Sequence, residues 1–177
     1  MIPTREECLN LMARYGMLEN IVSHSLEVAK LALFISSELN KRGQGIDLVL
    51  VEAASLLHDL AKTECLKTKE DHALTGAQLL KGMGYERIGE IVAQHIWLRG
   101  TGDPLRVTEE EVVNYSDKRV MHDSVVSLEE RFRDLKERYG SNQKAMDYLE
   151  RLQEEIYKIE NKIFLLLPFG PKHLQHL

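Results

Sequence analysis

Along almost the whole chain, apolar residues return every three or four positions and hardly anywhere every two, the period of helices rather than of strands. A chain so patterned can bury its apolar surface only by packing helix on helix, and an all-α bundle is expected. The first helix begins after Pro3-Thr4, with Thr4 as N-cap and Glu7 placed for a capping box, and reaches about Tyr15. The second runs from about Leu18 to Arg42. Its inner face is Ile21, His24, Val28, Leu31, Ile35 and Leu39, and Gly43 to Gly45 ends it. A third starts near Asp47 and carries Val51, Ala54, Leu57, His58 and Ala61. A polar connection, Thr63 to Asp71, leads to a fourth from about His72 to Met83. After Gly84 a fifth extends from Glu86 to about Leu98 and faces inward with Ile88, Ile91, Val92 and His95. Gly100 to Pro104 is a loop, and Thr108 with Glu109, Glu110 and Glu111 makes the capped, acidic first turn of a sixth helix that contains Asp117.

The last third is patterned differently. Val125, Leu128, Phe132, Leu135 and Tyr139 form one narrow stripe, Gly140-Ser141-Asn142 breaks it, and Ala145, Leu149, Leu152, Ile156, Ile159, Ile163 and Leu166 form a second. Two such stripes joined by a short turn predict an antiparallel helical hairpin packed as a short coiled coil, lying on the core or making a homodimer. The chain thus divides into a helical domain over residues 1–122, a hairpin over 123–167 and a flexible tail over 168–177, whose His173 and His176 are expected to be solvated and to carry no chemistry.

The 177 residues suit a single core. A net charge of −5 argues against nonspecific affinity for a nucleic-acid duplex or a membrane. Two unpaired cysteines, Cys8 and Cys65, give no disulfide framework and point to a reducing cytoplasm. The first residues lack the pattern of a signal peptide, and no apolar run approaches the roughly 20 residues of a membrane span.

Against this background stand His24, the doublet His58-Asp59, His72, His95 and Asp117. One histidine on an apolar helix face is more often a hydrogen-bonded core residue than a ligand, and a lone aspartate more often a cap or an ion-pair partner. Joint placement changes this reading, because four histidines on the inward faces of four helices leave many buried polar atoms to satisfy. The doublet sits among apolar and small residues, so Asp59 is partly buried and requires a cation. Imidazole with carboxylate suits Mn, Fe, Co, Ni or Zn better than the oxygen-preferring Mg or Ca, and the lack of a cysteine beside them argues against a structural zinc.

His24 in NIVSHSLEVAKLA, His58-Asp59 in AASLLHDLAK and Asp117 in NYSDK resemble the H…HD…D signature of the HD-domain metal-dependent phosphohydrolases. The segments EDHALTGAQLL and IVAQHIW resemble the two further histidine positions of members that bind two metals. The resemblance covers residues 18–122. Leu60 and Ala61 depart from the HDIG form, and the lack of a GYP motif after the doublet sets the chain apart from cyclic-dinucleotide phosphodiesterases of that type. The resemblance implies that His24, His58, Asp59 and Asp117 bind a first divalent metal, with Asp59 bridging to a second held by His72 and His95. It further implies hydrolysis of a phosphate ester or anhydride, in a nucleotide, by a metal-activated hydroxide.

Lys62, on the same side of the helix as the doublet, is a candidate catalytic and substrate-binding cation, or a solvated lysine at a helix end. Arg99 is a second substrate-binding candidate. Lys118 and Arg119 read as surface charges, His122 as a site residue or a helix end, Gly76 as a packing position and Trp97 as a core or interface residue. Two other readings remain: the resemblance also admits a di-iron HD-type oxygenase, and the chain could be a noncatalytic nucleotide-binding sensor.

Overall fold

The computed structural model describes residues 1–100 and 102–176. Among them nine helices account for almost all regular structure: α1 (Arg5–Arg14), α2 (Glu19–Asn40), α3 (Leu48–Leu57), α4 (Lys62–Thr68), α5 (His72–Gly82), α6 (Glu86–Val92), α7 (Glu109–Arg119), α8 (Leu128–Tyr139) and α9 (Gln143–Leu165). The fold is the expected all-α bundle. The sequence places the helix starts well, because the caps are chemical. Thr4 with Glu7 and Thr108 with Glu111 both form reciprocal capping boxes, and Asp47, Asp71 and Asn142 each accept from backbone N–H groups of the turn they open. Among the described residues no helix is long and apolar enough to cross a membrane.

The long helix α2 lies against α3 and α7, α5 pairs with α6, and α9 packs on α7 and α8. Helix α7 is the axis of the molecule, with every residue from Glu111 to Arg119 buried.

Four features depart from the periodicity. The third helix stops at Leu57, and residues 58–61 form a tight turn in which Leu60 N bonds to Leu57 O and Lys62 N to Asp59 O. The stretch read as a polar connection then holds α4, which buries only Cys65 and so shows no apolar repeat. It ends where Lys69 takes a left-handed φ of 65°. The helix expected from Glu86 to about Leu98 is α6, which ends at Val92, six residues short of Leu98. Val125, read as part of a helical stripe, stands instead in a two-stranded ribbon, β1 (Val120–Met121) against β2 (Ser124–Val125), closed by His122 at φ 57°.

The α8–α9 pair lies on the core within one chain. Leu152, Ile156, Ile159 and Ile163 of α9 join the same buried cluster as Val113 and Tyr115 of α7. The tail, expected to be flexible, forms a 3-10 helix over Pro171–His176 that buries Leu174 and stacks His173 on Phe34 and Phe169. Its anchor is Arg119, whose guanidinium donates to Pro171 O at 3.2 Å. Ile156→Ala should therefore lower the stability of the whole bundle by about 2–5 kcal/mol in a single cooperative urea transition. A separate early transition for the hairpin would show that it does not share the core.

Candidate metal centre

The expected ligands arrive from five pieces of backbone: His24 from the second turn of α2, His58 and Asp59 from the turn after α3, His72 from the first position of α5, His95 from the turn after α6 and Asp117 from the last turn of α7. All six come together. His24 Nε2 lies 3.0 Å from Asp117 Oδ1, and His58 Nε2 lies 3.4 Å from both Asp117 Oδ1 and Asp59 Oδ2. On the other side, Asp59 Oδ1 lies 3.3 Å from His72 Nε2 and 3.6 Å from His95 Nε2, and the two imidazole nitrogens stand 3.2 Å apart. The two oxygens of Asp59 thus face two separate donor groups, His24 with His58 and His72 with His95, and in each set the ligand atoms lie within 4.8 Å of one another.

Three of the rings are held by the same device. Nδ1–H of His24 donates to His122 O, that of His58 to Ser55 O and that of His95 to Val92 O, at 2.7–3.0 Å. A donating Nδ1 leaves Nε2 as the metal-binding nitrogen. These residues fit a divalent cation, for His58 Nε2 and Asp59 Oδ1 are buried and have no hydrogen-bond partner. Such atoms are costly to leave unmet.

The charges agree. Burial works against a charged ring at His58, yet Asp59 and Asp117 outweigh it and raise its pKa to about 10. Burial alone would raise the carboxyls of Asp59 and Asp117, but their neighbours hold both well below the ordinary range: the charges of His58 and Lys62 for the first, the charge of Lys118 and hydrogen bonds from His24 and His58 for the second. His95 moves the other way, pushed down to about 3 by burial and by the charge on His58, and is a neutral donor.

A sequence model of the HD domain matches residues 21–158. The chain belongs to the HD-domain family. This is a superfamily of metal-dependent phosphohydrolases whose members bind divalent metals, and the His58-Asp59 doublet occupies the centre of the site. Among curated relatives, a tRNA (cytidine(56)-2'-O)-methyltransferase of Thermoplasma volcanium is 34% identical over 97 residues, 54% of this chain and 27% of that protein. Ribonuclease Y of Acetivibrio thermocellus is 36% identical over 84 residues, 48% of this chain and 14% of that protein, and Ribonuclease Y of Thermosipho melanesiensis is 32% identical over 107 residues, 59% and 18%. The chain therefore spans about a quarter or less of the length of these relatives. No solved structure matches it.

Around the HD ligands, Lys62 Nζ sits 2.7 Å from Asp59 Oδ2 with its side chain about a third exposed. Arg99 is exposed and is not brought into the cluster; it lines, with Ile96, Trp97, Ile156 and Ile159, a cavity of about 280 Å³ beside the segment that carries His95. Trp97 donates to Tyr148 OH on α9 at 2.6 Å, an interface role within the chain. His122 serves the site through its backbone carbonyl, its side chain being exposed. A Cβ added at Gly76 would meet Val92 and Ala61 at ordinary contact distance, so close packing does not demand a glycine there.

Lys118 and Arg119, read from sequence as surface charges, are both buried. Lys118 Nζ pairs with Asp117 Oδ2 and donates to His95 O at 3.1 Å. Arg119 is enclosed by Glu160, Tyr115 OH, Val126 O and Pro171 O. Adjacent charges at a helix end give no sign of burial, because their acceptors come from distant segments.

With its pKa raised to about 10 by Asp59 and Asp117, His58 is expected to be an imidazolium at neutral pH in the metal-free protein, and a cation must displace the proton on Nε2. Binding of Mn2+ or Zn2+ at about pH 8 is expected to release about one proton per chain, read from how calorimetric heats vary with buffer ionisation enthalpy. Binding without release would show His58 to be neutral. Since its folded pKa of about 10 lies above the ordinary 6.5, the stability His58 lends the metal-free fold is complete below 6.5 and is lost as pH rises through 10. The melting temperature of EDTA-treated protein should fall across that window.

Proposed function

We propose that the chain hydrolyses a phosphate ester or anhydride of a nucleotide at a two-metal centre. The observation that carries this is Asp59: one carboxylate, buried, presents its two oxygens to two histidine pairs, with His58 Nε2 and its own Oδ1 left without hydrogen bonds. His24, His58, Asp59 and Asp117 would hold the first ion and Asp59, His72 and His95 the second. A bound divalent ion supplies a water acidified to near neutrality and a Lewis-acid hold on phosphoryl oxygens.

The protein's own groups do the rest. Asp59 fixes the spacing of the two halves. Lys62, a partly exposed cation beside Asp59, would bind a phosphoryl oxygen of the substrate. Arg99, exposed on the segment of His95, is the candidate for contacting the substrate beyond its phosphate. The relatives' names refer to RNA, a phosphodiester, which is consistent with a nucleotide; the net charge of −5 favours a small nucleotide over a duplex.

The test is a phosphatase and phosphodiesterase panel over nucleotides and dinucleoside polyphosphates, with Mn, Co, Ni, Fe and Mg each returned to metal-free protein. His58→Ala and Asp59→Ala should reduce hydrolysis to background with an unchanged circular dichroism spectrum. Tight nucleotide binding without turnover would favour a sensor, and turnover that requires oxygen and iron would favour an oxygenase. Lys62→Met should raise KM about ten-fold or more while kcat falls less, as expected for loss of a charged hydrogen bond of roughly 1.5–3 kcal/mol.

A further inference from the structure

Three consecutive carbonyls around His95 are held by two side chains of α7. Asn114 Nδ2 donates to Gln94 O at 2.8 Å and to Ile96 O at 3.2 Å, and Lys118 Nζ donates to His95 O at 3.1 Å. Asn114 and Lys118 stand four residues apart and share one side of the helix, and both are buried. Asp117 lies between them in sequence, and the same Lys118 ammonium pairs with its Oδ2. One cation therefore touches a carboxylate of one ligand group and the backbone of the other.

The backbone here depends on those bonds. Helix α6 has ended at Val92, and Gln94 N and His95 N reach back only three residues, to Ile91 O and Val92 O. Carbonyls 94, 95 and 96 take side-chain donors in place of the amides that a continuing helix would offer them. In that position the His95 ring donates through Nδ1 to Val92 O and turns Nε2 toward Asp59 and His72.

We propose that Asn114 and Lys118 are positioning residues, a clamp that sets His95 for a second metal ion and ties it to the Asp117 half of the centre. This rests on the two-metal reading above. Neither residue needs to touch metal or substrate. Loss of the clamp frees His95 and so weakens the second ion. Loss of the Lys118 charge leaves Asp117 more strongly negative, so the first ion is held as well as before or more tightly. The two ions respond differently, which general loosening of the bundle would not produce.

The experiment titrates Co2+ into metal-free protein, followed by calorimetry and visible absorption, for wild type, Lys118→Met, Asn114→Leu and His95→Ala. Wild type is expected to take two equivalents and His95→Ala to lose the second. In Lys118→Met and Asn114→Leu the second equivalent should weaken by roughly 10–100-fold, the range for loss of a group that orients a metal ligand, with the first retained. Met12→Ala, which removes a buried core side chain of α1, a helix that carries no ligand, should lower the melting temperature and leave both equivalents unchanged. Two undiminished equivalents in both clamp variants, or equal weakening of both ions, overturns the clamp alone. Wild-type protein that takes no cobalt overturns the metal centre itself and the clamp with it. Should Lys118→Met fail to fold by circular dichroism, Asn114→Leu decides, since it leaves the Asp117–Lys118 pair intact.

Discussion

Asp59 and Asp117 are carboxylates withdrawn from water, 1% and 6% exposed. Even after relaxation, such a transfer costs several kcal/mol per ion, and only close positive charge with well-placed hydrogen bonds offsets it. Lys62 and Lys118 each pair with one of the two, and His58 stands between them. Those cations and donors come from α2, α4, α5, α7 and the two turns after α3 and α6. The rest of the bundle is arranged to bring these segments to one point. A change that leaves either carboxylate without its partner would cost about 3–5 kcal/mol, a large part of the stability of an ordinary domain.

The geometry of the ligands follows from where helices stop. A helix ends with carbonyls that no amide of its own can reach. After α3 the ring of His58 donates to Ser55 O, three residues back, and after α6 the ring of His95 donates to Val92 O, again three residues back. Each histidine thus satisfies a terminal carbonyl with one nitrogen and presents the other to the centre. One bond fixes tautomer and direction together. His24 is in the second turn of α2, and its Nδ1 partner is supplied from elsewhere, by His122 O in the ribbon turn. The left-handed φ of 57° at His122 belongs to the two-residue turn that places this carbonyl.

The sequence made the ligand set legible because histidine and aspartate are conspicuous among apolar neighbours, and because the caps that start helices are side-chain chemistry read directly from residue types. The ends of α3 and α6 were not legible in the same way. Ala61 and Leu98 keep the apolar period, but the bonds that stop the helices come from Asn114, Lys118 and the ligand rings, which are distant or indifferent to period. Helix α4 escaped notice for the opposite reason: it is a real helix with one buried side chain, so it has no amphipathic signature. Lys118 and Arg119 misled because burial of a charge depends on acceptors more than twenty residues away.

Arg119 also explains why the C-terminal third bears on the centre without reaching it. Glu160 of α9 pairs with Arg119 at the C-terminal end of α7, and Lys162 holds both oxygens of Glu111 in its first turn. Eight residues separate Glu111 from Arg119, roughly 12 Å of helix, so α9 grips α7 at both ends. Between those points α7 carries Asn114, Asp117 and Lys118. A slip of α7 by even part of a turn would take Asp117 away from His24 and the amide of Asn114 away from the carbonyls it holds. The match to the HD domain runs on into α9 as far as residue 158, two residues short of Glu160. The apolar stripe of α9 is covered by α7 and α8 of its own chain.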